Sequence, residues 1–173
     1  RVSVIVPTRN RPAMLRQALA SIRAIEGPDV EFEILVGDNG RTEETRTLAQ
    51  EFGAVYIPVE EEGAGPARTA GLRAATGQFI AFLDDDATAE PGWASALMRH
   101  YDDARVAGVG GYATPVWPDG ARPAWMPAEF DWVVGCSYVG QPTTLTAVRN
   151  PLGCNMSLRR SVLDEVGGFR SEV

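Results

Sequence analysis

Lysine is absent from the 173 residues, and all 16 basic positions are arginine. A Walker-type phosphate loop places a lysine against the β- and γ-phosphates, and Schiff-base chemistry needs a lysine amine, so both are excluded. Histidine occurs once, as His100. A multi-histidine zinc site therefore has no material, and a Ser-His-Asp triad would rest on that one ring, which follows an apolar helical stretch and reads as an ordinary surface or half-buried residue. The two cysteines, Cys136 and Cys154, lack CxxC spacing and are too few for a disulfide scaffold, which leaves reduced, packed thiols. No apolar run reaches the ~18 residues of a membrane-spanning helix, and Val2 to Val6 is too short for a signal-peptide core. No basic patch offsets the net charge of −7, so a nucleic-acid footprint is not expected.

What remains is a chain that folds as one domain: 45% of it is hydrophobic, and its 18 glycines and 12 prolines fall short of low complexity. Val2 to Val6 is a β-branched run closed by Pro7, followed by a helical pattern through Ala13, Leu15, Ala18, Leu19 and Ile22. Phe32 to Val36 repeats the run and stops at Gly37-Asp38-Asn39-Gly40, after which Thr42 caps a helix carrying Leu48, Ala49 and Phe52. Val55 to Val59 is a third strand, Pro66 to Ala75 a helix and Phe79 to Leu83 a fourth strand. Trp93 to Tyr101 is a further helix and Val106 to Tyr112 a fifth strand. Strands alternating with helices at this spacing predict a mostly parallel sheet with helices on both faces, whose ligands gather at the carboxyl ends of the strands. Thr114 to Pro151 breaks the pattern with Pro and Trp. Order resumes as a strand from Gly153 to Leu158 and a helix from Ser161 to Val166, ended by Gly167-Gly168.

Three strand-end segments carry the polar chemistry. Asp84-Asp85-Asp86 follows the buried run Phe79 to Leu83, and three adjacent anions call for a compensating cation such as Mg2+ or Mn2+, or else form a polar turn that caps the next helix. Asp38, flanked by Gly37 and Asn39-Gly40, is placed either to accept a ligand N–H or to cap its own Asn-Gly turn. Arg68 enters a helix through the small-residue stretch Gly63 to Gly71, suited to an anion or to the surface of a packed helix.

Taken together, Val2-Ser3-Val4-Ile5-Val6-Pro7-Thr8-Arg9-Asn10-Arg11, Val36-Gly37-Asp38-Asn39-Gly40, Ala67-Arg68-Thr69-Ala70-Gly71-Leu72, Phe82-Leu83-Asp84-Asp85-Asp86, Asn155 to Arg160 and Glu165-Val166-Gly167-Gly168-Phe169 resemble the family 2 glycosyltransferases in order and spacing over nearly the whole chain. The resemblance implies a GT-A fold, a Rossmann-like α/β sheet, and an inverting transfer of a sugar from a UDP-sugar with Mn2+ or Mg2+. It implies that Asp38 bonds the uracil ring, that Pro7, Thr8 and Arg9 line the base pocket and that Arg68 holds the nucleotide. Asp84 and Asp85 would reach ribose or sugar, and Asp86, with Asp84, would bind the metal.

Departures from the family pattern are Gly37 where a first Asp is common, Thr69 after Arg68, and Arg170 after Gly-Gly-Phe. The family's general base lies in an acidic motif past that point, so it is expected beyond Val173, with Glu129 and Asp131 as weak substitutes. Residues 1–112 are expected to bind the nucleotide-sugar, and residues 113–173 to form an acceptor-side excursion and a closing strand and helix, in one C-terminally incomplete domain. Segments Phe130 to Cys136 and Val148 to Gly153 resemble a bacterial or archaeal branch that moves sugar or uronic acid to saccharide or lipid-linked acceptors. That implies a cytoplasmic enzyme, or one at the cytoplasmic face of a membrane through segments outside this chain. The rings of Trp117, Trp125, Phe130 and Trp132 suit a sugar face or lipid tail, or a satellite core under the loop. Two rivals stand beside this reading. A sugar-nucleotide pyrophosphorylase-like enzyme leans on a glycine-rich loop with a lysine, which is missing, and a catalytically inactive nucleotide-binding domain would lack the downstream acidic motif.

Overall fold

The structure is a computed structural model that describes residues 1–25, 31–118 and 120–169. Its strands β1 (Val2–Thr8), β2 (Phe32–Asp38), β3 (Val55–Pro58), β4 (Phe79–Leu83), β5 (Gly108–Gly110) and β6 (Asn155–Arg159) form one sheet in the order β3-β2-β1-β4-β6-β5. The first four run parallel, while β6 lies antiparallel between β4 and β5. The mostly parallel sheet expected from the sequence is therefore present, closed on one side by an antiparallel pair.

β1 sits between β2 and β4, which is why all seven of its residues are buried and why it is rich in β-branched side chains. Val4, Ile5 and Val6 have no exposed surface, and each such side chain contributes about 1.5–3 kcal/mol by leaving water. The strand runs two residues past the expected stop. Pro7 is accommodated because pairing with β4 ends at Ile5↔Phe82, while on the β2 side Thr8 still faces Asp38 and its carbonyl accepts from Asn39 N.

Helices cover both faces. Helix α1 (Pro12–Ala24), α2 (Glu43–Glu51) and α4 (Trp93–Met98) pack Leu15, Leu19, Ile22, Leu48 and Ala94 against one face. On the other, α3 (Ala64–Ala74) and α5 (Arg160–Val166) bring Leu72 and Leu163 onto Ile5, Leu35, Ile80 and Phe82. Thr42 caps α2 as expected, its hydroxyl accepting from Thr45 N.

Two glycines let α3 lie close to the sheet. A Cβ at Gly37 would stand 2.7 Å from the Ala67 carbonyl oxygen, and one at Gly71 would stand 2.6 Å from Ile5 Cγ2. Gly37, the departure from the two-aspartate pattern, thus has a packing cause. Strand β2 runs two residues past the expected Val36, and α3 starts at Ala64, two residues before the expected Pro66; the larger differences lie late in the chain. The expected strand Val106 to Tyr112 shrinks to β5 because its glycines face side chains: a Cβ at Gly108 would meet Leu158 at 2.5 Å and one at Gly110 would meet Pro151 at 2.6 Å. The helix expected to reach Tyr101 ends at Met98, and the strand expected from Gly153 starts at Asn155. In the excursion, Ala128–Val134 is a 3-10 helix. No helix among the described residues is long and apolar enough to cross a membrane.

Candidate functional site

The strand order sets the carboxyl ends of β2, β1 and β4 side by side, so the loops after Thr8, Asp38 and Leu83 converge on one edge. Two non-glycine residues there, Asn10 (φ 55) and Arg41 (φ 53), adopt left-handed backbone, which costs about 1 kcal/mol or more each and is tolerated where the chain is held tightly. A Cβ at Gly40 would collide with Asn10 Oδ1, so the first two loops touch.

Each of the three consecutive aspartates has a different environment. Asp85 is buried, 5% exposed, and is held by Thr8 Oγ1, which donates at 2.7 Å, and by Arg11 Nη1 at 3.3 Å. Burial pushes its carboxyl above the ordinary carboxylate range, the bonds from Thr8 and Arg11 oppose that, and the charge of Asp86 adds to it. Asp86 is half exposed and receives the same Arg11 nitrogen at 3.1 Å. Asp84 turns the other way, to Arg68 Nη2 at 2.7 Å. Arg68 also donates to the Gly153 carbonyl at 3.3 Å, and its Nε is buried without a partner. Arg68 is thus neither a free anion receptor nor a surface residue: it bridges α3, the β4 end and the turn before β6.

Asp38 has no exposed surface, and its carboxylate accepts from Gly40 N at 2.8 Å, Thr42 N at 3.1 Å and Tyr56 Oη at 3.2 Å. Local capping of the Gly37–Thr42 turn is therefore what this carboxylate does in the chain itself. Arg9 forms a bidentate pair with Glu62, at 2.8 and 2.9 Å, in place of one with the aspartates. Pro7 is buried at the end of β1. So the structure gathers Thr8, Arg68, Asp84, Asp85 and Asp86 tightly, sets Asp38 under the same edge and leaves Arg9 on its rim.

Sequence reasoning gave no role to Arg11, Tyr56, Glu62 or Asn10. Arg11 closes the Pro7 to Arg11 loop, and its alignment opposite the aspartates follows only from the β1–β4 pairing. Asn155, at the start of β6, accepts from Trp93 Nε1 at 2.9 Å and donates to the Tyr112 carbonyl at 2.8 Å, tying β6 to α4 and to the excursion.

No group of three or more His, Cys, Asp or Glu side chains among the described residues is arranged to hold a metal alone. Mg2+ and Mn2+ keep several waters and take one or two carboxylates plus phosphate oxygens, so a half-exposed Asp86 that already draws a cation fits that requirement. The thiols lie against the same site. Both are free and partly buried, and Cys154 Sγ contacts the Gly135 carbonyl oxygen at 3.5 Å. Burial, then the charge of Asp84, pushes the Cys154 pKa up to about 11.

The excursion resolves the standing of the two substitute carboxylates. Asp131 is 4% exposed and clamped by Arg122 at 2.5 and 2.7 Å, and Arg122 in turn lies 5.1 Å over the Trp117 ring. Those hydrogen bonds hold the Asp131 carboxyl below the usual carboxylate range, so it is a structural anchor. Glu129 is exposed. Trp125 (80%), Trp132 (57%) and Phe130 (50%) are open, so these rings do not form a satellite core. Beside them a cavity of about 530 Å³ is lined by Tyr112, Trp117, Arg122, Asp131, Tyr138 and Gln141. His100 accepts from Arg99 just after α4 and is half-buried as expected.

Comparison with known proteins agrees with this geometry. Residues 3–167 match the profile of Glycosyl transferase family 2. The glucosyl-dolichyl phosphate glucuronosyltransferase of Haloferax volcanii is 36% identical over 177 residues, taking in 98% of this chain and 56% of that protein. A mannosyltransferase of Pyrobaculum calidifontis, solved with GDP-Man and Mn2+, matches with a TM-score of 0.75 at 22% identity, over 100% of this chain and 48% of that one. S. aureus TarS 1-349, solved with UDP, matches at 0.71 and 21% identity, over 98% of this chain and 49% of that one. The chain therefore spans about half the length of these relatives, and the backbone it shares with the solved structures is the GT-A fold. It belongs to family 2 of the glycosyltransferases.

Proposed function

We propose that this chain carries the donor side of an inverting, metal-assisted glycosyltransferase that takes a hexosyl or hexuronosyl group from a UDP-sugar and places it on a lipid-linked sugar. The observation that carries the reading is the convergence of Thr8, Arg68 and the three aspartates at the carboxyl edge of the parallel strands. The acceptor class is supported by the name of the Haloferax volcanii relative, whose own acceptor is a dolichyl phosphate sugar.

In this reading Asp86 would hold the metal together with Asp84, through the Asp84 oxygen that Arg68 does not take, and the metal would offset the negative charge that develops on the departing diphosphate. Arg68 contributes a fixed positive charge beside it, and its orientation is set by Asp84 and the Gly153 carbonyl. Asp85, kept in place by Thr8, faces the ribose or sugar. Residues 1–112 supply these groups. The excursion within 113–173 supplies the acceptor side, where the exposed rings of Trp125 and Trp132 and the cavity beside Trp117 suit a saccharide with an apolar carrier. The acceptor hydroxyl attacks the anomeric carbon from the face opposite the diphosphate, and a carboxylate base removes its proton.

Structures of similar fold hold GDP-Man in one case and UDP in another, so base choice turns on this chain's own residues. Asp38 is the uracil N3–H acceptor in this reading. Of its two oxygens, Oδ2 already accepts from Thr42 N and Tyr56 Oη, while Oδ1 accepts only from Gly40 N and keeps a lone pair for the base. With Mn2+ present, titration of the 173-residue chain should show UDP binding at least about tenfold tighter than GDP or ADP, the worth of one charge-assisted hydrogen bond. Equal affinities would remove Asp38 from base recognition.

A further inference from the structure

Of the arginines around the candidate site, Arg9, Arg11 and Arg68 each rest on a carboxylate of the chain's own. Arg9 forms a bidentate pair with Glu62 at 2.8 and 2.9 Å, and Arg68 grips Asp84 at 2.7 Å with its side chain only 16% exposed. Arg11 differs from both. A single nitrogen, Nη1, is shared between Asp85 Oδ1 at 3.3 Å and Asp86 Oδ2 at 3.1 Å, and the side chain is 54% exposed. Its contacts are the longest of the three, and it stands where one cation serves the oxygens of two adjacent aspartates.

We propose that Arg11 is a tethered cation that neutralises the Asp85–Asp86 pair until a metal-nucleotide complex displaces it, whereupon its guanidinium turns to the diphosphate. The inference rests on the site reading given under Proposed function and adds a positioning residue to it. Asp85 does not follow Arg11 when the arginine leaves, because Thr8 pins its other oxygen at 2.7 Å. Arg11 itself is free to leave. It directly precedes α1, whose first residue is Pro12, and among the described residues its guanidinium has no further hydrogen-bond partner besides the two aspartates.

The consequence is coupling. A bare divalent cation must compete with Arg11 for Asp86, whereas a cation arriving with a diphosphate brings anionic oxygens that accept the displaced guanidinium. Metal and nucleotide therefore assist each other's binding, and by linkage the assistance is equal in both directions. Arg11 makes the loaded state depend on both components and keeps the aspartate pair compensated when neither is present.

The test measures Mn2+ uptake directly, from the loss of the free-ion electron paramagnetic resonance signal, with and without UDP, for the wild type, Arg11→Gln and Arg11→Lys. In Arg11→Gln, nucleotide-free Mn2+ binding should tighten about two- to fivefold, the worth of one exposed ion pair. UDP binding to the Mn2+-loaded protein should weaken about tenfold, because a charge-assisted contact to the diphosphate is gone. Arg11→Lys keeps the charge and should keep the coupling within about twofold of wild type. The proposal is overturned if Arg11→Gln leaves nucleotide-free Mn2+ binding unchanged while the wild type still binds Mn2+ with UDP. If the wild type takes up no Mn2+ even with UDP, the site reading itself fails, and the proposal with it. Arg11 caps nothing with its side chain, so both variants should fold: Arg11→Lys, which keeps the charge beside the aspartates, should hold the wild-type melting temperature and serves as the folding control, while Arg11→Gln should melt slightly lower because buried Asp85 loses its cation.

Discussion

Thr8 Oγ1 donates to Asp85 Oδ2 at 2.7 Å, joining the end of the first strand to the loop after the fourth across 77 positions of sequence. That bond fixes a buried carboxylate at the point where the loops converge. Thr8→Val should keep the fold yet weaken UDP binding in the presence of Mn2+, at a cost of about 1–3 kcal/mol for a buried acceptor left with one partner fewer. It also removes one of the effects that lower the Asp85 pKa, which burial already holds above its ordinary 3.8. Binding that needs the anion should therefore fade at a higher pH in Thr8→Val than in wild type as the solution is acidified. For stability the sign is opposite. An ionised carboxylate whose folded value is raised subtracts from stability at neutral pH, and that cost is lifted as the pH falls through the folded value toward 3.8. Calorimetric titrations and thermal melts across the acid range measure the two effects separately.

Asp38→Ala should cost both stability and affinity. Three donors lose their acceptor, two of them backbone N–H groups of the turn that leads into the second helix. A loss of about 1.5–3 kcal/mol in denaturant unfolding is expected, together with weaker UDP binding. Unchanged stability would contradict the capping role. Unchanged UDP affinity would leave capping as the sole role of this residue.

Much of this was readable before any coordinates. The strand Val2–Val6, the cap at Thr42 and the run Phe79–Leu83 follow from β-branching, an isolated hydroxyl before acidic residues and an unbroken apolar stretch, all local signals. What escaped is what depends on neighbours distant in sequence. Arg11 and Asp86 meet only because β1 pairs with β4, and Asp38 is filled by Tyr56 only because β3 lies beside β2. The late strand Gly108–Gly110 was overestimated because its glycines read as a continuing apolar run, when each is placed against a side chain from β6 or the segment before it.

Arg122→Met should destabilise the excursion without touching the donor side. The Arg122–Asp131 pair and the stacking on Trp117 tie these three residues together, and removing the cation leaves a buried carboxylate unpaired. Proteolysis within this segment should speed up while UDP affinity with Mn2+ stays at the wild-type value. A parallel loss of UDP affinity would show that the excursion shapes the nucleotide site.

Cys154 should be nearly inert. With its pKa pushed up to about 11, the thiolate at pH 8 is on the order of a thousandth of the total, so alkylation should run about a hundredfold slower than for an ordinary cysteine of pKa about 8.5. Mass-spectrometric labelling over time reads this directly. Rapid labelling at pH 8 would mean that the thiol is not buried as described.

The central claim is that Asp86 recruits a metal to the diphosphate, and UDP titration of the wild type and Asp86→Asn, each with Mn2+ and with EDTA, tests it most directly. In the wild type, Mn2+ should tighten UDP binding by at least about tenfold, and Asp86→Asn should erase most of that gain while leaving the EDTA value unchanged. Wild-type affinity that is the same in Mn2+ and in EDTA would contradict the account and reduce the three aspartates to a polar turn.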